Sequence, residues 1–83
     1  MTLKEVIKEG ISGLSALYPE REAREMVHIF LEHFLGISRH THIIEPYYEV
    51  YDEDAEAIRD AFRRMASGEP LQYVTGKAYF YAQ

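Results

Sequence analysis

The sequence contains no cysteine. That excludes disulfides and every metal site built on thiolates, and nothing in it requires an oxidising compartment. Glycine is sparse, at five residues, and never clusters. Gly10 and Gly13 fall inside a helical pattern, while Gly36, Gly68 and Gly76 sit at its breaks, so no phosphate-cradling loop is built. Positive charge is also short. Nine Lys and Arg face fourteen Asp and Glu, a formal net charge of −5. A non-specific nucleic-acid binder presents a basic face, and this balance argues against one. The local exception is a possible partner-binding patch at Arg59, Arg63 and Arg64. No apolar run approaches the length of a membrane span. Met1 to Glu9 lacks a basic region followed by an apolar core, so a secretory signal is not expected and the cytoplasm is the expected location.

What is present suits one small folded domain. The 83 residues are 47% hydrophobic and 28% charged, which argues against intrinsic disorder. A chain of this length buries only about 60–65% of its unfolded surface, so its stability margin is thin. It is also short for a self-contained enzyme with a cofactor domain.

Helical periodicity dominates the chain as far as Thr75. Thr2 and Glu5 have the spacing of a capping box, and Leu3, Val6, Ile7, Gly10, Ile11, Leu14 and Leu17 follow on one side. Lys4 and Lys8 form a like-charged pair offset by Glu5 and Glu9. Gly10 on the apolar side permits a close helix contact, at a propensity cost of roughly 1 kcal/mol. The second helix opens at Pro19 or Glu20. It carries Ala23, Met26, Val27, Phe30, Leu31, Phe34 and Leu35 as a wide stripe and ends at Gly36. A short third helix is expected over Ser38 to Ile44, capped by Ser38 and anchored by Ile43 and Ile44. Tyr47, Tyr48, Val50 and Tyr51 then read as an extended connection laying aromatics over the helices. A fourth helix runs from Asp52 or Glu53 to Ser67, with Ala55, Ile58, Phe62, Met65 and Ala66 on one side and Gly68 as its stop. Pro70 to Thr75 forms one more short helix, ended by Gly76, with Leu71 and Val74 inward. The expected fold is therefore all-α, a small bundle of four to five helices with short connections.

The candidate chemistry is thin. His28 and His33 are five apart on a helix and point in different directions, and His40 and His42 read as surface groups. Neither spacing is a standard zinc pair. Ser12, Ser15, Ser38 and Ser67 have ordinary capping or helix-surface explanations, and no acid is paired with a nucleophile. No catalytic, cofactor-binding or metal residue is assigned. The stretch Gly68-Glu69-Pro70-Leu71-Gln72-Tyr73-Val74-Thr75-Gly76 is different, because it packs two helix punctuators, a helix-start proline and an aromatic into nine residues. Caps, one short helix and a buried Tyr73 explain it structurally. A shaped hinge carrying a following domain explains it functionally.

Gly68, Glu69, Pro70, Leu71, Tyr73, Val74, Gly76 and Phe80 resemble, position by position, the signature that closes the helical N-terminal domain of the HemK/PrmC family. The members of that family are protein-(glutamine-N5) methyltransferases acting on peptide-chain release factors. Arg24-Glu25 with Val27 to Gly36, and Ser38-Arg39, extend the resemblance backward over nearly the whole chain. Ala82 departs from it, where family members often carry glycine or another small residue after the aromatics. The resemblance implies a substrate-recognition domain over residues 1–76. Residues 77–83 then begin a linker or strand leading to an S-adenosylmethionine-dependent domain, with Tyr79, Phe80 and Tyr81 opening that strand. It implies methylation of the glutamine of a Gly-Gly-Gln motif by that second domain, with these residues inactive alone and binding no cofactor themselves. The implied partners are release factors and the catalytic domain, with no direct nucleic-acid or membrane contact. Gly68, Glu69, Pro70, Tyr73, Gly76 and Phe80 are the implied hinge. The alternative is a free-standing helical adaptor that binds a protein partner through exposed aromatics such as Tyr47, Tyr48 and Tyr51.

Overall fold

Thr2 and Glu5 start helix α1 (Leu3–Leu14) by capping each other. The Thr2 hydroxyl accepts from the Glu5 amide, and the Glu5 carboxylate accepts from the Thr2 amide at 2.8 Å. Two amides that a helix start leaves orphaned are thereby satisfied. A computed structural model describes residues 1–74. Along them α1 is followed by α2 (Glu20–Leu35), a single-turn α3 (Thr41–Ile44) and α4 (Asp52–Ala66), and residues 71–74 are helical again. The architecture is all-α, as the periodicity predicts. Gly76, Phe80 and the strand expected over Tyr79 to Tyr81 lie outside the described residues.

Helix α1 is the central element and packs against both α2 and α4. Its buried side carries Leu3, Val6, Ile7, Gly10 and Leu14. These meet Ala23, Val27, Phe30 and Leu31 from α2 and Ala55, Ile58, Ala61, Phe62 and Met65 from α4. Gly10 has the packing role that its position predicts: a Cβ there would lie 2.5 Å from Cε2 of Phe62. The Phe62 ring meets Phe30 edge-on, with centroids 5.6 Å apart, so three elements close over one missing side chain. Gly36 ends α2 at φ 65°, the left-handed conformation expected of a glycine stop.

Four expectations are corrected. Leu17 is not part of the first stripe. Helix α1 stops at Leu14, whose carbonyl accepts from the amides of both Leu17 and Tyr18, and the resulting turn leaves Leu17 exposed. Phe34 stacks on Phe30 at 5.4 Å but stays at the solvent edge of its stripe. The third helix is one turn long, and Ile43 and Ile44 do not anchor it, at 66% and 73% exposed. A single turn has one inward side, and Thr41 with half-buried His42 occupies it. Ser38 acts one step earlier, its hydroxyl accepting from the His40 amide. Finally, the connection over 47–51 covers the core with Tyr48 and Val50 only, while Tyr47 and Tyr51 point outward, an alternation of period two. It also has a pairing partner that the sequence does not reveal. The N-terminus runs antiparallel to it for one bridge, with Leu3 donating to the Tyr48 carbonyl and Val50 to that of Met1.

Candidate functional site

The end of α4 is built as a fixed exit. Gly68 adopts φ 103°, a conformation that costs a side-chain-bearing residue dearly. Its amide donates to the Met65 carbonyl at 3.0 Å, and the next amide, of Glu69, donates to the Arg64 carbonyl at 3.1 Å. These are the two crossed bonds of a Schellman stop. The Glu69 side chain repeats the link, accepting from Arg64 Nε at 2.7 Å and from its terminal nitrogen at 3.1 Å. This fork holds the Glu69 carboxyl below its ordinary range and raises the guanidinium of Arg64. Glu69 of the sequence motif is thus a brace that ties the segment back to the helix it has just left.

Beyond the brace, the Pro70 carbonyl accepts from the amides of Tyr73 and Val74. Proline starts this turn without loss because its nitrogen has no hydrogen to place. Leu71 and Val74 pack against the core, as their spacing predicts. Tyr73 does not. It is 71% exposed, which corrects the buried reading. Residues three apart share one side of a helical turn, and Leu71 and Val74 take the inner side, so Tyr73 is carried outward.

The three arginines of α4 do not form one patch. Arg59 and Arg63 line a shallow groove of about 220 Å³ between α1 and α4, floored by Phe62 and Ala66. Arg64 belongs to the exit instead. Each guanidinium already holds a carboxylate. Arg59 forks onto Glu9 at 3.0 and 3.2 Å, and Arg63 reaches Asp60 at 3.2 Å. A guanidinium has five N–H donors, so all three keep donors for a further acceptor.

A second cluster escapes sequence reading. Arg39, just before α3, donates to both oxygens of Glu25 at 3.0 and 2.9 Å and to Glu32 at 3.2 Å. Glu25 and Glu32 are two turns apart on the same side of α2, a spacing that signals a shared partner. The Glu25 carboxyl is held low chiefly by its hydrogen bond to Arg39, and Arg39 is raised by the same bond. Beside this clamp the rings of His28 and His42 lie 5.5 Å apart. His42 is therefore not the surface group that its setting in the sequence suggests. Burial pushes the His28 imidazole below its usual value, and the charges of His42 and Arg39 push it further. The cluster pins α3 onto α2.

The serines act locally, as their positions predict. Ser15 donates to the Ile11 carbonyl and Ser67 to that of Arg64. Three glycines are likewise committed: Gly10 to Phe62, Gly36 and Gly68 to helix ends. None of the described glycines follows a strand, the setting in which a dinucleotide-binding turn uses them.

Comparison with known families adds one finding. The family model of the PrmC N-terminal domain matches residues 5–76, most of the chain. No curated protein and no solved structure shows a significant match.

Proposed function

The chain belongs to the PrmC N-terminal domain family, and from that premise we propose that it is the substrate-recognition module of a release-factor glutamine-N5 methyltransferase. In this reading residues 1–76 form the module and residues 77–83 begin the connection to an S-adenosylmethionine-dependent domain. That domain binds the cofactor and performs the transfer, in the cytoplasm. The amide of the target glutamine is a weak nucleophile, so rate depends on holding its nitrogen in line with the methyl group. A helical module contributes by fixing the substrate protein relative to the catalytic domain.

The observation that carries the proposal is the braced exit from α4. A module that positions a substrate needs a stiff link to the catalytic domain. The positive φ at Gly68, the crossed backbone bonds and the Arg64–Glu69 fork supply that stiffness at the family motif. Tyr73 is turned outward on the next helical turn, and in this reading it is a contact to the adjoining domain. Arg59, Arg63 and Arg64 are the proposed charged contacts to the release factor, through the donors that their carboxylates leave unused.

The test is kinetic, in the full-length enzyme. Arg59→Glu with Arg63→Glu is expected to raise KM for the release factor and leave kcat unchanged. An unchanged KM removes these arginines from the interface. Reading the natural gene past Gln83 tests the module itself: a following strand, a glycine-rich turn and Asn-Pro-Pro-Tyr are expected. A second reading, a helical adaptor, is favoured by the exposure of Tyr47 and Tyr51, at 89% and 73%. A stop codon after Gln83 selects it.

A further inference from the structure

Lys4 and Lys8 carry uncompensated charge, although acidic residues adjoin both. Glu5 is committed to the capping box with Thr2, and Glu9 is held by Arg59. Arg24, Arg39, Arg59, Arg63, Arg64 and the N-terminal ammonium each pair with a carboxylate, whereas neither lysine does so among the described residues. In a chain of net charge −5, the two lysines make a cationic strip on α1.

The strip lines an open groove of about 420 Å³ between α1 and the start of α2. Lys4, Lys8 and Ser12 stand at successive turns along it, a donor ladder about 12 Å long. Half-buried Ile11, with the edge of the core residue Ile7 behind it, forms an apolar rail beside the ladder. On the far wall the charge of Glu20 is matched by Arg24 at 3.0 Å, so it does not cancel the lysines.

We propose that this groove docks an acidic amphipathic helix of a partner protein. Carboxylates four residues apart on such a helix recur at the spacing of Lys4 and Lys8. An aliphatic side chain one turn along lies against Ile11, and the Ser12 hydroxyl offers a third donor. Charge complementarity and the apolar rail together select a peptide over a small anion, which uses the lysines and leaves the rail wet. This contact is separate from the arginines of α4 and does not depend on the function proposed above.

The experiment uses this chain and a fluorescent helical peptide of about four turns, with glutamates at i and i+4 and leucine at i+3. Fluorescence anisotropy is expected to show saturable binding that weakens in high salt. Lys4→Glu with Lys8→Glu is expected to weaken it by about tenfold or more, and Lys4→Arg with Lys8→Arg to retain it. Circular dichroism checks that each variant keeps its fold. Equal binding of a peptide with glutamine in place of glutamate overturns the proposal, as does an affinity insensitive to the charge reversal. Citrate or phosphate binding as tightly as the peptide also overturns it. So does self-association of the chain that the reversal abolishes, because a second copy is then the occupant.

Discussion

Gly10 and Gly13 lie one turn apart on α1 and have opposite surroundings. A Cβ at Gly10 collides with the Phe62 ring at 2.5 Å, whereas one at Gly13 meets nothing within 4 Å. Alanine gains up to about 1 kcal/mol of helix propensity at either site. At Gly10 overpacking of about 1–3 kcal/mol outweighs that gain, because the Phe62 ring must give up its edge-on contact with Phe30 to make room. Gly10→Ala is therefore expected to lower the thermal midpoint and Gly13→Ala to raise it. A pair of shifts with the same sign refutes this account of the α1–α4 contact. Phe30 is buried, stacked on Phe34 and edge-on to Phe62. Phe30→Ala is expected to cost about 3–5 kcal/mol. For so small a domain that amounts to unfolding in a urea or thermal melt, and an unchanged melt removes Phe30 from the core.

At the scale of elements, α3 and the exit from α4 are held differently from the long helices. Helix α3 has one turn and little buried apolar surface, so the Arg39 clamp and the His28–His42 contact hold it in place. The His28 pKa is depressed in the folded chain, so the unfolded chain takes up its proton first. Stability is then full above the ordinary histidine value of about 6.5 and falls as pH drops below it. The Glu25 carboxyl, also depressed, adds stability above the ordinary value of 4.5 that is lost as pH falls through its folded value. The urea midpoint is expected to hold from about pH 8 to 7, decline below about 6.5, and decline further in the carboxylate range. His28→Asn is expected to flatten the first decline, and a midpoint independent of pH between 7 and 5 contradicts the assignment. At the exit, Gly68→Ala forces a side chain into φ 103° and is expected to cost about 1–2 kcal/mol, read in the same urea melt.

For the whole molecule, one central helix carries two partners, and the core they share is small. In the proposed reading the methyl donor is held by the second domain, and the grooves among the described residues are open and shallow. The isolated chain is accordingly expected to transfer no methyl group from S-adenosylmethionine to a release factor. Incorporation of labelled methyl by this chain alone overturns the division of labour proposed for it. The molecule's surfaces are also divided: Arg59 and Arg63 at the α1–α4 groove, exposed tyrosines and isoleucines over 43–51, and unpaired lysines along α1. Three surfaces of different chemistry allow a module of this size to meet more than one neighbour.

The elements themselves are legible in the sequence because their signals are local. The Thr2–Glu5 box, the stops at Gly36 and Gly68 and the stripes of α2 and α4 depend on neighbours within a turn or two, where spacing alone fixes geometry. The motif from Gly68 to Tyr73 is legible as a motif for the same reason. Its orientation is not, since the burial of Leu71 and Val74, and with it the exposure of Tyr73, depends on what lies across the core. The partners of charged side chains are equally hidden. Arg59 finds Glu9 and Arg39 finds Glu25 only after segments distant in sequence pack together. Sequence alone determined which residues carry charge. Tertiary packing decided which charges are spent and which, as at Lys4 and Lys8, are left facing water, because pairing needs two side chains brought within a few ångströms of each other.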